Sequence, residues 1–133
     1  MVRIAPSILS GNFLNLEPDI RMVNKNADLI HIDVMDGSFV PNISFGFPVV
    51  EAIAKAVTVP MDVHLMIVNP DKYVERFAKT GAEMISFHLE AADQAGKDPR
   101  DIIAQIKSFG VKAGLVINPD IPVERLFPYI DDV

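Results

Sequence analysis

The chain contains no cysteine. Disulfides are therefore excluded, and so is any zinc site built on thiolates. A reducing compartment fits that absence. Runs of lysine and arginine are also missing. With 12 basic against 18 acidic residues the formal net charge is −6, and no basic footprint exists for a phosphate backbone or an anionic membrane. No apolar stretch approaches the roughly 20 residues that a bilayer-spanning helix needs. The opening Met1-Val2-Arg3-Ile4-Ala5-Pro6-Ser7 does not read as a signal peptide, because Pro6 and Ser7 cut its apolar run short. The expectation is a soluble cytoplasmic protein with neither a nucleic-acid nor a membrane partner. A glycine-rich dinucleotide turn is lacking too, since Ser7-Ile8-Leu9-Ser10-Gly11 holds a single glycine. That weakens an open doubly wound sheet.

What is present is apolar and periodic. Half of the 133 residues are hydrophobic, and this length predicts a single domain over 1–133. Five β-branched runs, at about 3–9, 28–34, 59–66, 83–89 and 111–117, predict strands. Helical signals lie between them. Asn15 precedes a segment with Pro18 in its first turn, and 47–57 carries apolar residues at helical spacing. Asn69-Pro70 predicts an N-cap and first helical position, with Gly81 as the stop; Asp98-Pro99 repeats the device with Gly110. A fifth helix is predicted after Pro122, shortened by Pro128. Strands alternating with helices imply an α/β fold with a parallel sheet covered by helices, either doubly wound or a (β/α) barrel.

The polar residues are placed unusually. In Ile30-His31-Ile32-Asp33-Val34-Met35-Asp36-Gly37, His31, Asp33 and Met35 share one strand face. Burying an imidazole and a carboxylate side by side is costly unless something compensates them, as a bound metal or a catalytic role would. The chain has three histidines, His31, His64 and His88. Each falls near the carboxyl end of a predicted strand, so the three imidazoles should converge on one rim. Asp62 and Met66 alternate with His64 on the same side. Two imidazoles and a carboxylate without sulfur suit a divalent ion such as Zn, Mn or Fe. His88 reads equally as a hydrogen-bonded structural residue. Met35 and Met66 are either core fillers or an apolar lining above a metal. Ser7 is either a turn hydroxyl or a substrate contact. The connection 36–46 is long enough for a lid or a plain surface loop.

These residues carry a resemblance. Ala5-Pro6-Ser7-Ile8-Leu9-Ser10, the run from His31 to Asn42, Asp62-Val63-His64-Leu65-Met66 and Gly114-Leu115-Val116-Ile117-Asn118-Pro119 resemble the ribulose-phosphate 3-epimerase family across essentially the whole chain. Allulose-6-phosphate 3-epimerase shares most of these features. The resemblance implies a (β/α)8 TIM barrel, of which this chain carries about the first five β/α units. It implies metal-dependent inversion of C3 of a phosphorylated ketopentose, D-ribulose 5-phosphate to D-xylulose 5-phosphate, in carbohydrate metabolism. It makes His31, Asp33 and His64 metal ligands, with Asp33 also one of two acid/base carboxylates. Ser7 and His64 would contact substrate, and Met35 and Met66 would line the site. The cofactor would be one divalent ion, Zn, Fe, Mn or Co, with Zn favoured. A small phosphorylated sugar and further copies of the chain, as a homo-oligomer, are the expected partners.

A full barrel takes at least roughly 200 residues. The resemblance places a second catalytic aspartate and the phosphate loops on later strands, so the chain alone is expected to be inactive. A self-associating, non-catalytic part-barrel is the alternative. Aldol chemistry ranks low, because no lysine lies on the predicted inward rim.

Overall fold

The structure is a computed structural model that describes residues 2–133. Four parallel strands, β1 (Ile30–Met35), β2 (Met61–Met66), β3 (Met84–His88) and β4 (Lys112–Val116), lie side by side in chain order. Helix α1 (Glu17–Asn26) precedes β1, and α2 (Phe47–Ala56) joins β1 to β2. Helix α3 (Val74–Ala78) joins β2 to β3, and α4 (Leu89–Ala95) and α5 (Pro99–Ser108) join β3 to β4. Sequential parallel strands linked by helices form part of a (β/α)8 barrel.

Period-two alternation decides which face goes where. Ile30, Ile32 and Val34 of β1 and Met61, Val63 and Leu65 of β2 are buried. They share one apolar cluster with Ile20 and Val23 of α1, Val50 and Ile53 of α2, and Ile102 and Ile106 of α5. Each such aliphatic side chain contributes about 1.5–3 kcal/mol on burial. The opposite sheet face, with His31, Asp33 and Met35 on β1 and Asp62, His64 and Met66 on β2, is only half-buried. Where β4 meets β3, Gly114 pairs with Ser86. A β-carbon at Gly114 would lie 3.0 Å from that of Ser86, so glycine lets the two strands carry a polar residue there without a clash.

The start of α5 follows the sequence reading: Asp98 Oδ1 accepts from Arg100 N at 2.9 Å, and Gly110 follows the helix at φ +75°. Four expectations are corrected. The run 3–9 is not a strand. It lies parallel to β1 through one bridge, Ser7 to His31, and then turns into a 3-10 helix over Ile8–Ser10. Leu29 N and His31 N donate to the carbonyls of Ile4 and Pro6, but Pro6 has no N–H to return to the ladder. Asn69 makes no side-chain cap; it sits at φ +51°, before a 3-10 turn at Pro70–Lys72 that precedes a short α3. The segment Val123–Tyr129 is a 3-10 helix with Pro128 inside it, because proline supplies no N–H for the α-helical ladder. Finally, His31 is the second residue of β1 and not near its end. Helix α4, which follows β3 directly, has no counterpart in the sequence reading.

Candidate metal centre

Strand register assembles the centre. Across β1 and β2, His31 faces Asp62, Asp33 faces His64 and Met35 faces Met66. Side chains directly opposite on one face lie within contact distance. Asp33 is the hub. Its Oδ1 lies 3.1 Å from Nε2 of His31 and 3.2 Å from Nδ1 of His64. Its Oδ2 accepts a hydrogen bond from the Ser7 hydroxyl, which the Ser7–His31 bridge brings alongside. Ser7 Oγ also accepts from Leu9 N at 3.2 Å, so the turn hydroxyl and the contact to the site are one group. Met35 and Met66 stand one layer above, half-buried at the strand ends. All five residues singled out with His31 in the sequence therefore lie on one sheet face or at its margin.

Two further residues join the cluster. Asp62 Oδ2 is 2.9 Å from Nδ1 of His31. His88, at the end of β3, places Nε2 2.9 Å from Nε2 of His64. The alternation of Asp62 with His64 was a visible signal for the first. The second accords with the expected convergence of the three imidazoles, whose rings stand 5.7 Å (His31–His64) and 5.0 Å (His64–His88) apart.

The loop from β1 to α2 is tied down by Asp36. Its Oδ1 accepts from the backbone N–H of Ser38 and Phe39, and its Oδ2 from that of Val68 beyond β2. Gly37 makes the turn at φ +74°, where a β-carbon would strike Ile43. The Phe39 ring is thereby held 4.8 Å from the His88 ring.

Electrostatics separate the imidazoles. The hydrogen bond to Asp62 raises the pKa of His31, helped by the charge of Asp33 and opposed by burial. His64 is lowered, chiefly by burial and also by the neighbouring His31, with Asp33 opposing. His88 is lowered by burial and by His64, against Glu90. Burial holds up the carboxyl of Asp36, but the donations from Phe39, Val68 and Ser38 outweigh it and bring the group below its usual value.

One donor atom from each of His31, Asp33 and His64 lies within 4.8 Å of the others. Ligands about 2.0–2.1 Å from a tetrahedral ion stand about 3.3 Å apart, close to the separations of 3.1 and 3.2 Å around Asp33 Oδ1. The donor set fits a divalent cation, which would also relieve the crowding of two imidazole nitrogens against one carboxylate oxygen. The cluster could bind a metal.

Parallel β/α units with two histidines and an aspartate on one sheet face define a barrel protein with a candidate metal-assisted site. A sequence model described as the ribulose-phosphate 3 epimerase family matches residues 3–133. The chain belongs to the ribulose-phosphate 3-epimerase family. It is 48% identical, over its whole length, to the ribulose-phosphate 3-epimerase of Bacillus subtilis, covering 60% of that protein. It is 49% identical to the Synechocystis protein of the same name over 92% of the chain and 53% of that protein. It is 42% identical to the cytoplasmic isoform from Oryza sativa over 97% of the chain and 56% of that protein. The chain thus spans little more than half the length of these curated relatives. Among the described residues, no helix is long and apolar enough to cross a membrane.

Proposed function

We propose that this chain supplies the metal-binding and first proton-transfer residues of a 3-epimerase that interconverts D-ribulose 5-phosphate and D-xylulose 5-phosphate. The observation that carries the reading is the His31–Asp33–His64 cluster, with the second oxygen of Asp33 held by Ser7. The relatives' shared name favours the pentose phosphate over a hexose phosphate.

The hydrogen at C3 is acidified by the adjacent C2 carbonyl. Its removal gives an enediolate, and return of a proton on the opposite face inverts the centre. His31, Asp33 and His64 would hold one divalent ion, for which zinc is the best match to two imidazoles and a carboxylate, ahead of Fe, Mn or Co. That ion supplies Lewis acidity toward the negative charge that develops on the substrate oxygens. Asp33 is the base: Oδ1 belongs to the cluster, and Oδ2, oriented by the Ser7 hydroxyl, is the oxygen that takes the proton. Ser7 and His64 contact the sugar. Met35 and Met66 form an apolar cover that keeps water from the enediolate. A cytoplasmic location, a single domain over 1–133 and a homo-oligomer complete the reading. The exposed apolar side chains of Val123, Phe127 and Ile130 support the last of these, and sedimentation tests it.

Asp33→Asn is the test of the chemistry. In the epimerase that carries this chain, it abolishes exchange of the C3 hydrogen with solvent deuterium and leaves the thermal unfolding transition cooperative. Retained exchange would remove Asp33 from the mechanism.

A further inference from the structure

The second half of β1 has no strand along its outer edge. Backbone groups of alternate residues in a strand point to opposite edges. Ile30 N donates toward β2, to the carbonyl of Pro60, and His31 N donates the other way, to the carbonyl of Pro6. The backbone groups of Asp33 and Met35 therefore share the outer edge with those of His31. The N-terminal segment does not follow them there. It bridges β1 at Ser7–His31 and then turns away into the 3-10 helix over Ile8–Ser10.

One side chain fills the gap. Ser44, half-buried on the loop before α2, donates from Oγ to the carbonyl of Asp33 at 2.7 Å and accepts there from Met35 N at 2.9 Å. Its own N–H donates to the carbonyl of Met35 at 3.2 Å. A hydroxyl is both donor and acceptor, so this single oxygen takes the place of two ladder bonds that a neighbouring strand would supply. Ser44 is itself fixed. Phe45, next in the chain, is 9% exposed, with its ring 5.6 Å from that of Phe13, and Gly46 is the N-cap of α2. The serine thus ties the end of β1 to the packed start of a helix.

We propose that Ser44 is a positioning residue: by holding the backbone on both sides of Val34, it fixes Asp33 against its proton-transfer partner and Met35 above it. Ser7 orients the Asp33 carboxylate, and Ser44 holds the backbone that carries it. A carboxylate that takes a proton from carbon works only within a narrow range of distance and angle, and a displacement of about 1 Å lowers turnover about 100-fold. The inference deepens the function proposed above and rests on it for the role of Asp33 as base.

The test is run in the epimerase that carries this chain, at a temperature below the unfolding transition of every variant, so that a mere loss of stability does not register. Ser44→Ala removes the hydroxyl and both of its bonds. It lowers kcat for D-ribulose 5-phosphate about 10–100-fold and leaves KM nearly unchanged, the pattern of an interaction that matters in the transition state. Ser44→Thr keeps the hydroxyl and restores kcat. Where Ser44→Ala does not fold, Ser44→Cys, whose thiol is only a weak donor and acceptor, takes its place with a smaller fall in kcat expected. A folded variant without the hydroxyl that turns over at the full rate overturns the proposal. So does a Ser44→Thr enzyme as slow as Ser44→Ala, or a loss confined to KM. If the unsubstituted enzyme does not turn over D-ribulose 5-phosphate, the function reading falls instead. Hydrogen exchange at the Met35 amide, faster in Ser44→Ala when the hydroxyl holds β1 and unchanged when it does not, then still upholds or refutes the brace.

Discussion

Asp62 Oδ2 lies 2.9 Å from Nδ1 of His31, directly across the β1–β2 register. A carboxylate on one imidazole nitrogen leaves the other, Nε2, facing Asp33 Oδ1 at 3.1 Å. The two histidines of the cluster are thus braced differently: His31 by a neighbouring carboxylate, His64 by a second imidazole. In both cases the nitrogen on the other side of the ring faces Asp33 Oδ1, at 3.1 Å for His31 and 3.2 Å for His64.

Removing that brace gives the first prediction. Asp62→Ala lowers the pKa of His31, because the hydrogen bond that His31 donates to Asp62 is the main cause of its elevation above 6.5. It also weakens zinc binding by about 10–100-fold. Zinc must displace a proton from His31. The affinity of the unsubstituted protein therefore rises with pH up to the elevated value and then levels off, and in Asp62→Ala the rise moves to lower pH. Without metal, the sign for stability is opposite. The His31–Asp62 contribution is full below the unfolded value of 6.5 and is lost as pH rises through the folded value. NMR titration of the imidazoles and chelator competition across pH measure both. A His31 titration unmoved by Asp62→Ala would refute the assignment.

Asp36 gives a prediction for stability in acid. Its two oxygens hold three backbone N–H groups, on both the β1–α2 loop and the segment after β2. Asp36→Ala leaves those donors without their acceptor and costs about 1–3 kcal/mol, read by chemical denaturation. The loop around Ser38 also becomes more open to proteolysis. Because the folded pKa is held below 3.8, the contribution is full above 3.8 and is lost as pH falls through the depressed value. The variant lacks that part of the acid slope. An unchanged slope would mean that Asp36 is not the anchor.

The strand contact at Gly114 predicts a packing defect. A β-carbon there stands 3.0 Å from the Ser86 β-carbon. Gly114→Ala forces β3 and β4 to shift by a few tenths of an ångström, and Gly114→Val, with a bulkier side chain, costs about 1–3 kcal/mol. Thermal unfolding should rank them Gly, Ala, Val in falling stability. Substitution at Gly81, where a β-carbon meets nothing within 4 Å but φ is +87°, separates the crowding effect from backbone strain.

The sequence exposed the site where cost and period coincide. His31, Asp33 and Met35 alternate with β-branched residues that bury against helices, and no local propensity explains polar groups at those positions. That pattern is local, so it could be read. The convergence of the three imidazoles was legible from their strand positions, but the pairing of Asp62 with His31 depends on register between strands some thirty residues apart, which no single run encodes. The run 3–9 looked like a strand because its composition is one; the missing N–H of Pro6 is what reduces it to a single bridge. Asn69 fits the preferences of an N-cap, yet its left-handed backbone turns it into a turn residue. Helix α4 follows His88 with no intervening loop, so strand and helix signals overlap and the helix is masked.

Inversion at C3 sets the last prediction. Taking a proton from one face of a carbon and returning one to the other needs proton carriers on both sides. Asp33 and Asp62 rise from the same face of adjacent strands, and Asp62 is engaged with His31. Both therefore approach a substrate from one side. The chain spans 60% of the Bacillus subtilis relative and 53% of the Synechocystis one. The purified 133-residue chain is accordingly expected to bind zinc through His31, Asp33 and His64 and to form no D-xylulose 5-phosphate from D-ribulose 5-phosphate. A coupled assay for the product, run beside chelator competition, measures the two properties on one sample. Turnover by the chain alone would show that both proton carriers lie within these residues, and would oblige Asp62, His88 or Glu90 to be considered as the second.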